Sequence, residues 1–345
     1  MTDRPDISVI VPTRNRSSAL ANLLESLAEC APDGISWEVV VVDNGSTDDT
    51  PDVCQRAATV LPSGVMKYVR EPAPGLHACR HRGALEASSD VLVFVDDDVR
   101  TTSSWLPALH NAFLDPDVEL ATGPCLPHYE VDPPAWVEST WSHRSGEGKW
   151  CGYLSLLDFG DTPREIDPTF VWGLNFAIRR EAFQRLRGFH PDALPWELRR
   201  YRGDGETGLS LKARAAGAQA WYCPDALVYH CVPASRVTVE YFMRRSYLQG
   251  ISDSFSDIRA MARQAESDGR SQRHATRWPL RRLLDSGRRV ERHSHDARLR
   301  AELKIAHDQG YLFHLTAVVA DSALLAWVLR EDFMDGEWPG LSRPE

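Results

Sequence analysis

The chain has 345 residues, of which 43% are hydrophobic and 26% are charged, enough for one large domain with a sizeable core and an appended unit. Its net charge of -10 argues against a dedicated nucleic-acid-binding protein, which needs a basic surface to neutralise phosphates. The seven cysteines are scattered without a Cys-x-x-Cys pair, which is typical of reduced thiols and not of a disulfide framework or a zinc site. The N-terminus leads directly into a predicted strand without a signal-peptide pattern, and we expect a cytoplasmic protein.

The first part of the chain alternates apolar runs with helical patterns. Strands are predicted at 7–11, 37–42, 65–70, 91–95, 118–122, 170–178, 220–222 and 226–230. Helices are predicted at 17–30, 76–87, 105–113 and 209–216, the last of them ending at Gly217. This alternation predicts an α/β fold with a mostly parallel central sheet and helices on both faces.

The strand at 91–95 is an unbroken apolar run, which indicates burial on both faces, and it ends in Asp96, Asp97 and Asp98. Three unpaired carboxylates cannot lie in a core, so they must meet water or a cation. Ligands of open α/β sheets bind at the carboxyl ends of the strands. The residues therefore predict a divalent metal and a phosphate-bearing ligand held by Asp96 and Asp98, with an acidic turn that caps the helix near Trp105 as the alternative.

A second acidic cluster precedes the helix at 209–216. Asp204 and Glu206 lie at or just before its N-terminus, where the helix dipole favours anions. Helix capping alone would explain one acidic residue. The glycines on both sides of Asp204 suggest that another group approaches the backbone closely.

Two other stretches have weaker patterns. From about 128 to 167 the chain is rich in Trp, Pro and Gly and has no clear period, and we expect a loop used for acceptor binding or closure. The apolar stretch from Tyr311 to Leu329 contains His314 and Asp321, and we expect a helix packed on protein and not a membrane span.

Beyond about residue 237 the composition becomes rich in arginine and helix-prone. Acidic residues are interspersed, which favours a solvated helix surface over a basic arm for an anionic acceptor, a lipid headgroup or a partner. The arginines between residues 259 and 300 are Arg259, Arg263, Arg270, Arg273, Arg277, Arg281, Arg282, Arg288, Arg289, Arg292, Arg298 and Arg300.

Six segments in this order give the chain a wider resemblance. The segments are 9–16, 41–48, 75–80, 95–98, 173–180 and the acidic cluster before Leu209. Together they cover roughly residues 7 to 230, and they resemble the family 2 glycosyltransferases of the GT-A fold. The resemblance implies a GT-A domain at 1–236, with a donor half at about 1–125 and an acceptor half at about 126–236, followed by a helical extension at 237–345.

The resemblance implies a nucleotide-sugar donor. In the family pattern the base and ribose are held by Pro12, Thr13 and Asp43, and Arg14 of the same loop is expected to contact the donor. A carboxylate such as Asp43 can accept the imide N–H of uracil or a ribose hydroxyl. Arg80 is implied as a contact for a phosphate or for the base region, which its planar fork of donors suits.

The family's Asp-x-Asp element maps to Asp96 and Asp98. By this likeness Asp98 is expected to be the direct ligand of Mn²⁺ or Mg²⁺, with Asp96 beside it and Asp97 close to the donor. His230, at the end of a predicted strand, would complete the metal shell, and a satisfied structural histidine is the alternative.

The family acts with inversion at the anomeric carbon, which requires one base beside the acceptor. Its usual Glu-Asp pair falls on Gly205 and Glu206, so we expect Glu206 to be the general base, with Asp204 as a rival. Trp172 and Asn175 lie where the family shapes its acceptor site, and core packing is the alternative for Trp172.

The implied activity is metal-dependent inverting transfer from a UDP-linked sugar, with GDP- and dTDP-linked donors as alternatives. The acceptor stays open, as do peripheral membrane contact and a homodimer through the C-terminal helices; no nucleic-acid partner or transmembrane segment is expected. The rival functions are a nucleotidyltransferase, whose glycine-rich phosphate loop is missing from 12–16, and a non-catalytic nucleotide-sugar-binding module.

Overall fold

The computed structural model describes residues 4–30, 32, 34–62, 64–144, 148–267 and 295–335. Within these ranges the chain forms two β-sheets, helices that cover them and a C-terminal group of long helices. Of the arginine-rich region, the arginines at 270–292 lie outside the described residues.

Eight strands make up the larger sheet. Their bounds are β1 (Ile7–Thr13), β2 (Trp37–Asp43), β3 (Met66–Arg70), β4 (Val91–Val95), β6 (Val118–Thr122), β11 (Arg164–Ile166), β12 (Asn175–Arg179) and β13 (Gln219–Tyr222). Their order across the sheet is β11-β13-β6-β12-β4-β1-β2-β3. The predicted α/β architecture with a mostly parallel sheet is confirmed, but β12 runs antiparallel between β4 and β6, and β11 is antiparallel to β13.

The apolar runs explain why the central strands fold as they do. Along β4, Val93 and Val95 face one core cluster, while Leu92 and Phe94 face another on the opposite side of the sheet. The β4 residues are 8% exposed or less, so both faces of the strand are covered. Because β1, β2 and β4 are parallel, the polar residues that follow them meet at one edge of the sheet.

The smaller sheet corrects the expectation for 128–167. Its strands are β5 (Val99–Thr101), β7 (Cys125–Tyr129), β8 (Ser142–Arg144), β9 (Gly148–Cys151), β10 (Leu156–Asp158) and β14 (Val228–Val232), in the order β5-β14-β7-β10-β9-β8. The stretch that we expected to be a loop therefore contributes several short strands. Strands of three or four residues are too short to show a period of two in the sequence.

Helices cover the larger sheet and continue beyond it. Their bounds are α1 (Ser17–Glu29), α2 (Thr50–Val60), α3 (Leu76–Glu86), α4 (Trp105–Ala112), α5 (Ala135–Glu138), α6 (Arg180–Arg185), α7 (Glu206–Ala215), α8 (Val239–Ser267), α9 (His295–Ala320) and α10 (Ser322–Leu329). Helix α7 begins at Glu206, three residues earlier than the sequence predicts. The earlier start makes Glu206 the first helical residue.

The C-terminal helices pack closely on each other and on the rest of the chain. A Cβ at Gly250 of α8 would lie 1.9 Å from the carbonyl oxygen of His307 in α9, so the two backbones are in contact at this crossing. Trp327 of α10 donates a 3.0 Å hydrogen bond to the carbonyl of Tyr201. In the described residues no single helix is long and apolar enough to cross a membrane. Helices α9 and α10 reach the length and apolar composition of a membrane span only when they are taken together, and the chain bends by 113° between them.

Candidate active site

The three aspartates after β4 lie at the sheet edge, and each contacts an arginine. Asp97 accepts hydrogen bonds from Thr13 Oγ1 at 2.8 Å and Arg16 Nη1 at 2.6 Å. Burial raises the pKa of the Asp97 carboxyl to about 7, although the positive charge of Arg16 opposes that shift. Asp97 therefore links the ends of β1 and β4 from inside the protein, and its side chain is only 3% exposed.

Asp98 has the densest set of contacts. Its Oδ2 atom lies 2.8 Å from Arg16 Nη2, 2.9 Å from Arg236 Nη1 and 3.4 Å from His230 Nε2. Burial acts to raise the pKa of Asp98, but the positive charges of Arg16 and Arg236 oppose it, and the pKa lies below its ordinary value. The residue is thus held as a carboxylate in the protein interior.

Strand pairing brings His230 to this position. Strand β5 begins directly after the aspartates and pairs antiparallel with β14, so that His230 lies opposite Val99. The backbone N–H of Cys231 donates to the carbonyl of Asp98 at 2.8 Å, which fixes the two strands at this point. The structure thus brings together Asp98 and His230, and their shared metal site stays a prediction.

Arg80 connects the aspartates to the acidic cluster before α7. Its side chain is 2% exposed, with Nη2 at 2.9 Å from Asp96 Oδ1 and Nη1 at 3.5 Å from Glu206 Oε2. Nη2 also donates to the carbonyl of Gly173 at 3.0 Å, and a Cβ on Gly173 would lie 2.3 Å from that nitrogen. Burial raises the pKa of Asp96, with the charge of Arg80 opposing the shift.

Asp43 lies at the end of β2, opposite Thr13 of β1, and its side chain is fully buried. Its Oδ1 accepts from the backbone N–H of Ser46 at 2.7 Å, and its Oδ2 accepts from the Tyr68 hydroxyl at 2.6 Å. Burial and the neighbouring carboxylate raise the pKa of Tyr68, which keeps the phenol as a donor. Each oxygen of Asp43 retains a lone pair that could accept a hydrogen bond from a ligand.

Arg14 and Arg16 differ in what they contact, although both follow β1. Asn15 between them has a positive φ of 51°, which turns the chain. Arg14 is exposed, whereas Arg16 pairs with Asp97 and Asp98. The loop arginine at the aspartates is therefore Arg16 and not Arg14, while Pro12 is buried in β1.

The two acidic residues before α7 point to different surroundings. Asp204 lies between His190 Nδ1, at 2.5 Å, and the Ser256 hydroxyl of α8, which donates to its Oδ2. Burial acts to raise the pKa of Asp204, but His190 and Ser256 lower it below its ordinary value. Glu206 instead faces Arg80, and its side chain is 25% exposed.

The glycines around Asp204 serve protein packing. Gly205 has a positive φ of 58°, and a Cβ there would lie 2.9 Å from the Asp192 carboxylate. Gly203 lies against Phe255 of α8, and its carbonyl accepts from Ser252 at 2.8 Å. The groups that approach this backbone closely are therefore side chains of the protein itself.

Asn175 is occupied by the core and does not fit the predicted acceptor role. Its Oδ1 accepts from Trp105 Nε1 at 3.0 Å and its Nδ2 donates to the Ala226 carbonyl at 2.8 Å, with the residue 2% exposed. Trp172 is half-buried: its Nε1 donates to Thr169 O at 2.9 Å, and its ring meets Trp150 edge to face. Trp172 retains an accessible part that could contact a ligand.

The chemistry of the donor set fits a divalent cation at Asp98 and His230. His230 Nδ1 lies 2.7 Å from the Leu154 carbonyl and therefore carries the proton, so the Nε2 lone pair accepts from Arg236 Nη1. The two donor atoms are 3.4 Å apart, close to the ~3 Å between adjacent ligands of one octahedral ion. The described residues contain no group of three or more His, Cys, Asp and Glu side chains suited to one metal ion, so a ligand such as a diphosphate would have to supply further oxygens.

Sequence reasoning missed Arg16 and Arg236 as members of this site. Arg16 belongs to the segment 9–16 that carries the resemblance, so a signal for it was present. Arg236 lies six residues after His230 on a short 3₁₀ turn, Ala234–Arg236, and no motif marks it. Arg236 follows β14, whose pairing with β5 places this part of the chain beside Asp98.

The chain is an α/β protein with buried acidic residues at the carboxyl end of a central strand, the edge at which open α/β sheets bind ligands. Residues 8–187, more than half of the chain, match the model of glycosyl transferase family 2, and the chain belongs to this family. The predicted family and fold are confirmed.

Curated relatives are similar over part of their length. An N-acetylgalactosaminyltransferase 7 from Drosophila melanogaster is 28% identical over 311 residues, which cover 83% of this chain and 49% of the relative. Validoxylamine A glucosyltransferase from Streptomyces hygroscopicus subsp. limoneus is 28% identical over 208 residues, which cover 56% of this chain and 45% of the relative. The chain spans about half the length of these relatives.

Solved structures show a distant likeness. The mannosyltransferase PcManGT from Pyrobaculum calidifontis, solved with GDP-Man and Mn²⁺, is 21% identical with a TM-score of 0.49, covering 94% of this chain and 79% of that one. GalNAc-T7 with UDP, GalNAc and Mn²⁺ is 19% identical with a TM-score of 0.48, covering 66% and 43% respectively.

Proposed function

We propose that the chain transfers a sugar from a nucleotide diphosphate sugar, with UDP as the expected nucleotide, to an acceptor nucleophile with inversion at the anomeric carbon. The observation that carries the proposal is the Arg80 bridge. One buried guanidinium contacts both Asp96, at the end of β4 where we propose a metal, and Glu206, the candidate base. The donor site and the acceptor site would therefore lie on either side of the Arg80 guanidinium.

The donor half would be held by the edge formed by β1, β2 and β4. Thr13 and Asp43 are adjacent in register at this edge, and Asp43 is oriented by Ser46 and Tyr68, so it can receive hydrogen bonds from the base or ribose. Arg80 and Arg16 supply cationic donors suited to phosphate oxygens. The family membership supports this assignment.

Asp98 and His230 would hold a divalent cation, Mn²⁺ or Mg²⁺, and such a cation would supply Lewis-acid stabilisation of the leaving nucleoside diphosphate. The chain's own contribution is to present one carboxylate oxygen and one imidazole lone pair from rigid, buried positions. Orientation by a backbone carbonyl fixes the imidazole ring and its tautomer.

Glu206 would act as the general base. Its carboxylate accepts the acceptor's proton while the acceptor oxygen or nitrogen bonds to the anomeric carbon and the bond from that carbon to the diphosphate oxygen breaks on the opposite face. Arg80 orients the Glu206 carboxylate, and the partial exposure of the Glu206 side chain leaves it accessible to an acceptor. Asp204 is unsuited to this role because both of its oxygens face His190 and Ser256.

We propose the division into a catalytic part at 1–236 and a helical extension at 237–345. The extension contributes to the catalytic part, since Ser252 and Ser256 of α8 bind the segment that leads to Glu206. Family membership leaves the nucleotidyltransferase alternative without support. Release of nucleotide from UDP-sugars distinguishes an enzyme from a non-catalytic binding module.

Calorimetric titration with UDP, GDP and dTDP, each with and without Mn²⁺, tests the donor assignment. We expect UDP to bind with an affinity that Mn²⁺ increases, and Asp98→Ala to abolish that increase. Asp90→Ala is the matched control, because Asp90 is an exposed aspartate at the opposite end of β4. If none of the three nucleotides binds with either metal condition, the proposal is wrong.

A further inference from the structure

Arg236 lies between the two residues that we propose as metal ligands. Its Nη1 atom is 2.9 Å from Asp98 Oδ2 and 2.7 Å from His230 Nε2, while those two atoms are 3.4 Å apart. The Asp98 and His230 side chains are 5% and 3% exposed, and that of Arg236 is 22% exposed. A protein cation therefore contacts both atoms from the more accessible side.

The protonation states at this contact follow from the donors. Arginine can only donate, so His230 Nε2 must accept the hydrogen bond from Arg236. This agrees with Nδ1 donating to the Leu154 carbonyl. Arg236 thus uses the same imidazole lone pair and the same carboxylate oxygen that a divalent cation would require.

Arg16 also contacts Asp98 Oδ2, but its position differs. Its other nitrogen pairs with Asp97, and Asp98 and Asp97 together form a two-carboxylate partner for this guanidinium. No contact between Arg16 and His230 is present among the described residues. Among the residues that the structure describes, Arg236 is the arginine that contacts both proposed metal ligands.

Because one lone pair cannot bind both groups, we infer that Arg236 is an internal competitor of the divalent cation: it holds Asp98 and His230 in the metal-free protein and withdraws when the metal enters. This inference rests on the proposed function. The Arg236 side chain can leave the two ligands, because it is partly exposed and its guanidinium lies 5.9 Å from the Tyr241 ring, which can bind a cation. A cation displaced at this point is also close enough to the site to pair with a bound diphosphate.

The competition has a measurable thermodynamic consequence. Metal alone must break two contacts of Arg236, whereas metal with a nucleoside diphosphate offers the displaced guanidinium a new anionic partner. Mn²⁺ and UDP are therefore expected to strengthen each other's binding, and Arg236 is the residue that carries part of this coupling.

The test is the affinity of the full chain for Mn²⁺ without nucleotide, measured by calorimetry and by the electron paramagnetic resonance signal of free Mn²⁺. We expect Arg236→Met to bind Mn²⁺ at least tenfold more tightly than the wild type and to show a weaker effect of UDP on Mn²⁺ affinity. Arg100→Met is the matched control, because it removes one positive charge two residues from Asp98 on an exposed side chain. It is expected to change the Mn²⁺ affinity less than threefold.

Arg236→Lys provides a second variant if the methionine variant does not fold, which circular dichroism reports. A lysine keeps the charge on a single ammonium, and we expect a Mn²⁺ affinity between those of the wild type and Arg236→Met. If UDP and Mn²⁺ bind the wild type together but neither Arg236 variant gains Mn²⁺ affinity, the inference alone is overturned. If the wild type binds no nucleotide, the proposed function falls and the inference with it.

Discussion

His190 Nδ1 lies 2.5 Å from Asp204 Oδ1 in a fully enclosed position, on the side of the acidic cluster that faces the C-terminal helices. Ser256 of α8 binds the other carboxylate oxygen. The two acidic residues of the cluster therefore have separate tasks. Asp204 fastens the segment to the helical extension, and Glu206 faces Arg80 and the candidate site.

Replacement of Asp204 is expected to cost mainly stability. Asp204→Ala removes a buried carboxylate and leaves His190 and Ser256 without their partner, which we expect to lower the free energy of unfolding by about 3 kcal/mol. Glu206→Gln, at a quarter-exposed side chain, is expected to lower it by less than about 1 kcal/mol. Urea denaturation of both variants measures the difference, and equal losses would contradict the separate roles.

A methyl group on Gly173 is expected to disturb the Arg80 bridge. The added Cβ would lie 2.3 Å from Arg80 Nη2, and that guanidinium is buried and held by two carboxylates, so it cannot simply swing away. We expect Gly173→Ala to reduce nucleotide release from the donor at least tenfold. Gly152→Ala is the control, because the nearest atom to its added Cβ belongs to Trp150 at 3.9 Å. Wild-type turnover in Gly173→Ala would show that the Arg80 bridge is dispensable.

The crossing of α8 and α9 depends on Gly250. A Cβ there would lie 1.9 Å from the carbonyl oxygen of His307, which is backbone and can give way only if the helices separate. We expect Gly250→Ala to lower the free energy of unfolding by about 1–3 kcal/mol or more, measured by thermal and urea denaturation. Arg263→Ala, an exposed site on the same helix, should change it by less than about 0.5 kcal/mol.

Buried histidines predict a loss of stability in mild acid. Burial lowers the pKa of His77 and that of His314 from the ordinary 6.5 to about 4, so the folded chain binds fewer protons than the unfolded chain between these values. Stability from these groups is therefore full above pH 6.5 and is lost as the pH falls towards 4. Each histidine contributes about 3 kcal/mol to this loss.

Unfolding free energies of the wild type and of His314→Gln between pH 7.5 and 4.5 check the effect, because glutamine cannot be protonated in this range. We expect a smaller drop with pH in the variant. His128→Gln, at an exposed position, serves as the control. A drop in His314→Gln as large as that of the wild type would contradict the assignment.

The strands of the larger sheet could be predicted because long apolar runs at β1, β2 and β4 demand burial on both faces. Their common direction then places Asp43 and the aspartates after β4 at one edge, which needs no further information. The antiparallel insertion of β12 beside β4 could not be predicted, since strand pairing between residues 80 positions apart leaves no local pattern.

Within the site, sequence reasoning found the chemical types but not every orientation. Which of Arg14 and Arg16 reaches the aspartates depends on the positive φ of Asn15. The inward position of Asp204 depends on Ser256 of α8, 52 residues away in sequence. Asn175 lies at a sequence position where an acceptor contact is expected, but its side-chain amide is hydrogen-bonded to Trp105 and Ala226. No local sequence pattern predicts the contact of Arg236 with Asp98, because it depends on how β14 and β5 pair.

Nucleotide release by Glu206→Gln from a panel of UDP-sugars, alongside calorimetry of UDP with Mn²⁺, separates catalysis from donor binding. We expect turnover, measured with water or added acceptors, to fall at least 100-fold because the general base is lost, while the affinity for UDP stays within about twofold of the wild type. Turnover equal to the wild type would show that Glu206 is not the base. A wild-type chain that binds UDP but releases none from any donor would identify a binding module and contradict the proposed transfer reaction.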